Sequence, residues 1–412
     1  MIDHFCSSPA VFDRLRSGPL GPHIDGFAEL LFQQGYSREA GAQKLRLVSR
    51  LSRWLARREI GVQLMDEQRI TEFIRARGKR LGRRPGTRPT FGALLQYLRQ
   101  AHIIAEPRTP PALSPLDRIE QDYAQFLRQD RALTPATLHN YLPAARRFLI
   151  GRFGTGKICL RKLGPQDLTD FILHDLSTFS PRRVQLMTSA LRSFLGFLYQ
   201  RGDLATNLAV SVPTVANWNL APLPRFLESA EVEKLLSVCD RTSPVGKRNR
   251  AILLLLARLG LRAGEVVQIT LEDIDWEAGE LVVRGKGARQ ERLPLLREVG
   301  QALADYLRQR PARLACRHVF LRMVAPYRGL SGSGTVSSIV RRSLARAQLH
   351  PNHRGAHLLR HSLATQMLRR GASLTQIGQV LRHQRAQTTE IYAKVDVAAL
   401  QALAQPWPGG VQ

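Results

Sequence analysis

His357-Leu-Leu-Arg360-His361, followed by Gly371, then by His383 and nine residues later by Tyr392, is the stretch that decides the fold. His357 and Arg360, three apart at a helix start, share one face, while His361 is turned by about a hundred degrees from them. An apolar-periodic helix follows, then a lone imidazole and a phenol. Imidazoles, a guanidinium and a phenol within reach of one pocket are the groups that hold a phosphate and attack it.

Upstream, Arg262 stands in Leu259-Gly-Leu-Arg-Ala-Gly-Glu265, at a turn between a helix apolar nearly all round (247–260) and the next helix. Glu265, three residues on, is placed to hold the guanidinium plane in register. Residues 280–295 read as two short strands around a glycine-flanked turn, with Lys286 at the tip and Arg289 just beyond it. A helix over 335–347 carries Arg341 and Arg342.

With Arg262, Lys286, His357, Arg360, His383 and Tyr392 in this order, the C-terminal part resembles the catalytic domain of the tyrosine recombinases, the phage-integrase, Xer and Cre family. The resemblance implies that Tyr392 is the nucleophile and Lys286 the acid that protonates a leaving 5′ oxygen. Arg262, His357, Arg360 and His383 then bind the scissile phosphate, and His361 supports them. Two departures stand out: Leu381-Arg382-His383 replaces the usual Leu-Gly-His, although glycine permits conformations that arginine does not, and Lys394 stands where many relatives have His.

The chain's 412 residues exceed one compact core, and 61 Lys plus Arg against 33 Asp plus Glu leave a net charge of +28. Residues 1–110, 111–224 and 225–412 hold 19 against 10, 13 against 8, and 29 against 15. Because the excess is spread over all three rather than confined to one tail, each is expected to face a polyanion, double-stranded DNA above all.

The first hundred residues repeat the pattern of the second. Ser37 and Thr134 each open an apolar-periodic helix, Leu45, Val48 and Leu51 answering Leu142, Ala145 and Phe148. Ile70-Thr-Glu-Phe73 then matches Leu168-Thr-Asp-Phe171, and Leu94-Leu95-Gln-Tyr97-Leu98 matches Phe194-Leu195-Gly-Phe197-Leu198. The offset drifts from 97 to 100, as loop insertions leave it in a duplicated domain. Proline-rich connections around 106–115 and 212–224 set boundaries near 110 and 222. In the resembling family a small core-binding domain precedes the catalytic one and clamps duplex DNA with it. The expected architecture is therefore mainly α: a helical DNA-binding domain (1–110), a SAM-like core-binding domain (111–222) that the first duplicates, and a recombinase catalytic domain with a small antiparallel sheet (223–412). In the first copy Lys79, Arg80, Arg83, Arg84 and Arg88 crowd a Gly- and Pro-broken loop suited to phosphate or minor-groove contact.

No carboxylate cluster suited to two metal ions stands out, which speaks against a metal-dependent nuclease, and no G-x-x-x-x-G-K-[ST] occurs, so no metal or cofactor is expected. Cys6, Cys159, Cys239 and Cys316 lie far apart and read as free thiols in a reducing cytoplasm, where the chain would work on the nucleoid. The opening residues lack a long apolar run, and no window reaches the length of a membrane span. By resemblance, a homotetramer would act on two paired DNA sites, with related recombinases or accessory proteins as further partners. The extra N-terminal copy favours the integrase or transposase of a mobile element. A Xer-like dimer-resolution recombinase, a type IB topoisomerase and a catalytically silent DNA-binding factor are the alternatives.

Overall fold

The computed structural model describes residues 2–6, 8–78, 86–106, 114–154, 156–214, 225–285, 289–311 and 316–395. Helices α1 (Ile2–Phe5), α2 (Pro9–Arg16), α3 (Ile24–Gln33), α4 (Arg38–Ala56), α5 (Glu67–Ala76) and α6 (Thr87–Gln100) gather around one apolar core. Around another lie α7 (Pro115–Gln129), α8 (Pro135–Phe153), α9 (Pro165–Asp170), which runs on as a π-helical turn over Phe171–Asp175, and α10 (Pro181–Gln200). The C-terminal part begins with α11 (Ser229–Ser237), α12 (Pro244–Arg258) and α13 (Ala263–Gln268). Strands β1 (Ile274–Asp275), β2 (Glu280–Arg284) and β3 (Gln290–Pro294) come next. The last helices are α14 (Arg297–Leu307), α15 (Ser333–Arg346), α16 (His357–Arg369), α17 (Leu374–Val380) and α18 (Gln387–Glu390). Two compact units result: Met1–Glu106 together with Pro222–Gln412, and Pro107–Ala221.

The two N-terminal helical sets follow one pattern. The Ser37 hydroxyl accepts the Ala40 N–H at 3.4 Å to start α4, whereas the Thr134 hydroxyl pairs with that of Thr137 at 3.1 Å and leaves the start of α8 to Pro135. Both helices run for 19 residues. Leu45, Val48 and Leu51 point into the first core as Ala145 and Phe148 do into the second, with Leu142 at its edge. Ile70 and Phe73 correspond to Leu168 and Phe171 in the same way, and Leu94, Leu95 and Leu98 to Phe194, Leu195 and Leu198; all ten are buried.

In the C-terminal part, α12 is the central element. The Ser243 hydroxyl caps it by accepting the Gly246 N–H at 3.1 Å, and Ala251 through Leu256 have no solvent exposure, each large side chain contributing about 1.5–3 kcal/mol of burial. A helix buried on all sides cannot slide, so its C-terminal end is a fixed point. The sheet is antiparallel in the order β1-β2-β3, with Val283 opposite Glu291 and Arg284 opposite Gln290. The fold is thus mainly helical with a small antiparallel sheet, as the sequence predicts, the two-residue β1 being an addition. Among the described residues, no helix is long and apolar enough to cross a membrane. Lys286 at the hairpin tip and Lys79, Arg80, Arg83 and Arg84 lie outside the described residues.

Candidate active site

Just beyond α12, Gly260 takes φ +59°, a left-handed conformation that costs glycine nothing. Its carbonyl accepts a hydrogen bond from Arg360 Nη1. Two residues on, Arg262 is the extended N-cap of α13, and Glu265 closes that turn. One Glu265 oxygen accepts the Arg262 backbone N–H at 2.8 Å and the other accepts Arg262 Nη1 at 2.7 Å. The Arg262 side chain is 38% exposed and that of Glu265 only 6%, so the guanidinium opens outward with its carboxylate behind it.

Arg360, on the first turn of α16, is almost fully buried. Its second terminal nitrogen donates to the Leu381 carbonyl. Burial, reinforced by the charges of Arg262 and Arg382, pushes its pKa down to about 10. The next carbonyl, that of Arg382, accepts Arg262 Nη2 at 3.2 Å. One turn therefore grips both guanidiniums with consecutive backbone oxygens.

That turn requires φ +56° at Arg382, where arginine bears a cost on the order of 1 kcal/mol. The expected Gly-like geometry is kept by a residue that does not favour it. The Arg382 side chain is 6% exposed; Nη2 donates to Glu265 Oε2 at 3.0 Å, Nη1 to the Val380 and Leu259 carbonyls at 3.2 and 3.4 Å, and Nε stands 3.7 Å from Glu291 Oε2 on β3. Burial pushes the Glu265 carboxyl up, but the Arg262 hydrogen bonds and the Arg382 charge outweigh it and hold it below its usual range.

Tyr392 is 1% exposed and packs among Ala364, Ile377 and Leu381. Its hydroxyl lies 2.9 Å from His361 Nδ1. The imidazole expected only to support the site is thus the one hydrogen-bonded to the phenol. Burial, then the charges of His357 and Arg360, push His361 down to about 4, so at neutral pH it is uncharged. Burial pushes Tyr392 up to about 12, with Arg360 and Arg262 pulling the other way. His383 lies parallel to the Tyr392 ring, 6.5 Å between centroids, and its Nδ1 is fixed 2.7 Å from the Thr389 hydroxyl. Burial and the charges of Arg360 and Arg262 push it, too, down to about 4. His357 is exposed at the start of α16, its ring 6.3 Å from that of His361.

A cavity of about 470 Å³ opens in front of these groups, lined by Arg262, Arg289, Glu291, Arg382 and His383 among others. Arg360, His361 and Tyr392 do not line it; Arg360 is tied to the carbonyl of Leu381, next to the lining residue Arg382. Arg341 and Arg342 are exposed on α15, and Arg88 is exposed on α6. The sequence reading meets Arg382 only as an arginine in a glycine's place and gives it no role, and Thr389 escapes it without a signal.

Residues 225–398 match the phage integrase family. Over 412 residues the chain is 43% identical to a protein of Sinorhizobium fredii named as an integrase/recombinase, y4rA, each chain covering the whole of the other. The chain is a tyrosine recombinase of the phage integrase family. The recombinase is also 29% identical to the tyrosine recombinase XerC of Oceanobacillus iheyensis, over 66% of its own length and 90% of that relative. Its fold matches the XerH site-specific recombinase bound to a palindromic difH substrate in a post-cleavage complex, with a TM-score of 0.54, 19% identity, and coverage of 81% of this chain and 93% of that one.

Proposed function

We propose that the recombinase cuts duplex DNA at specific sites through a 3′-phosphotyrosine on Tyr392 and rejoins the strand to a new partner. The observation that carries this reading is the Tyr392 hydroxyl held 2.9 Å from a neutral imidazole and close behind two guanidiniums gripped by one turn. In the forward step the phenol oxygen bonds to phosphorus, the phenol proton passes to His361 Nδ1, and the bond from phosphorus to the 5′ oxygen breaks. That oxygen takes its proton from Lys286. Charge on the non-bridging oxygens is met by Arg262, Arg360 and the free Nε2 of His383, with His357 at the rim. Donors already fixed by carbonyls and Glu265 need no reorganisation as that charge develops. One phosphodiester replaces another, so reversal and strand exchange need no nucleotide.

The three segments 1–110, 111–222 and 223–412 act as domains, the first two a duplicated pair of helical DNA clamps and the last the catalytic body. The net charge of +28 suits a long DNA contact. Four protomers on two sites, exchanging one pair of strands at a time, give the assembly, and the chain works in the cytoplasm on the nucleoid. A mobile-element role is favoured over dimer resolution: the integrase/recombinase relative matches the chain end to end, whereas XerC matches 66% of it.

The test is Tyr392→Phe on a nicked duplex that traps covalent complexes. The variant should bind DNA as the parent does and yield no protein–DNA adduct. A surviving adduct would overturn the assignment. Tyr327, the next tyrosine in sequence, packs its ring against Gly35, outside the group formed by Arg262, Arg360, His361 and His383.

A further inference from the structure

We infer that Arg382 is a positioning residue for strand cleavage, setting where the Arg262 guanidinium stands and how much of its charge is left for the scissile phosphate; this rests on the phosphotyrosine reading above. The residue touches Arg262 by two routes. Its carbonyl accepts Arg262 Nη2 directly at 3.2 Å. Its side chain reaches Glu265 Oε2 at 3.0 Å, on the carboxylate whose other oxygen holds Arg262 Nη1 at 2.7 Å.

Charge balance gives this arrangement its meaning. A buried carboxylate paired with Arg262 alone would cancel much of the field that guanidinium offers an entering phosphate. With Arg382 on the second oxygen, one negative charge is shared by two positive ones, and the excess faces the cavity that Arg262, Arg382 and His383 line. The Nε of Arg382 is buried without a hydrogen-bond partner, its nearest anion being Glu291 Oε2 at 3.7 Å. Glu291 lies on β3, so the same side chain spans from the Arg262 helix end to the strand that follows Lys286 in sequence. A left-handed backbone at a non-glycine residue persists only where its surroundings over-determine it, and here two of the contacts that hold it, the Arg382 carbonyl on Arg262 and the Arg382 side chain on Glu265, lead to the phosphate-binding arginine.

Arg382→Gly separates the turn from the side chain, since glycine takes φ +56° without strain. In the full-length protein, relief of the backbone strain offsets only part of the lost buried ion pair with Glu265, so the variant should fold cooperatively with a lowered melting temperature and bind its site as the parent does. Single-turnover cleavage should slow about tenfold, less than the 10²- to 10³-fold of a phosphate donor removed outright. Arg382→Lys, which keeps a cation beside Glu265, should recover part of that loss. On a duplex with an uncharged methylphosphonate at the scissile position, the gap between Arg382→Gly and the parent should shrink to about twofold, as it should for Arg262→Ala, because the charge being neutralised is gone. Cleavage at the parental rate overturns the inference. So does an equal defect on both substrates or a variant that fails to fold, since either makes Arg382 a scaffold only. An adduct on Tyr392→Phe would instead sink the phosphotyrosine reading, so the two failures are told apart.

Discussion

His361 and His383 are held as neutral imidazoles, each down near 4 in the native site against 6.5 for an unperturbed histidine. Below pH 6.5 the unfolded chain takes up protons that the native site refuses. The stability these two sites leave intact above that pH therefore erodes as pH falls toward 4 and levels off below it. Melting temperature followed from pH 8 to 4 should show this decline, and His361→Gln combined with His383→Gln should flatten it. An unchanged slope in the double variant would assign the decline to other groups. The sequence order of Arg262, His357, Arg360, His383 and Tyr392 made the family legible, but not which imidazole meets the phenol. The resemblance gives His361 only a supporting part, and its turn of about a hundred degrees from Arg360 along α16 does not by itself say what it faces. Arg360 uses its direction to reach Gly260 and Leu381, and Tyr392 comes from a separate segment to the side His361 faces.

Elements decide how rigidly those residues are held. At Gly260, with φ +59°, an added Cβ would stand 2.7 Å from Leu381 Cδ2 and 3.0 Å from Leu363 Cδ2. Gly260→Ala should therefore cost about 1–3 kcal/mol and slow cleavage as well, because the same carbonyl holds Arg360. Thermal unfolding and single-turnover cleavage read the two effects, and wild-type values in both would show that the turn tolerates a side chain. The hairpin has a separate task. Lys286→Ala should slow cleavage by the roughly 10²- to 10⁴-fold typical of a general acid, and a sulfur in place of the bridging 5′ oxygen should restore most of the rate, since a thiolate leaves without protonation. The same sulfur should help Arg262→Ala and Arg360→Ala little. Equal rescue of all three would reassign the hairpin to groove binding. The hairpin was legible because glycines flank a lysine between two short strand-like runs; β1, two residues long, has no period to read.

At the scale of the whole molecule, the sequence showed two similar helical sets and a basic catalytic half, and each set has its own core. It gave no sign that the N-terminal set and the catalytic part belong to one compact unit, since that depends on residues nearly three hundred positions apart. Gly35, at φ +77°, lies under the Tyr327 ring so closely that a Cβ there would stand 2.3 Å from Cδ2. This contact is small beside the separate cores on either side of it. Removing residues 1–106 should therefore leave the catalytic core folded, with its melting transition still cooperative. If that segment is a second DNA clamp, its loss should shorten the protected stretch of DNA, and each phosphate contact removed should lower the slope of log affinity against log salt by about 0.9. Were the segment only a brace for the loop carrying Tyr327, the truncated chain would keep the full footprint and the full salt slope while losing stability, and Gly35→Val in the intact chain would reproduce that loss.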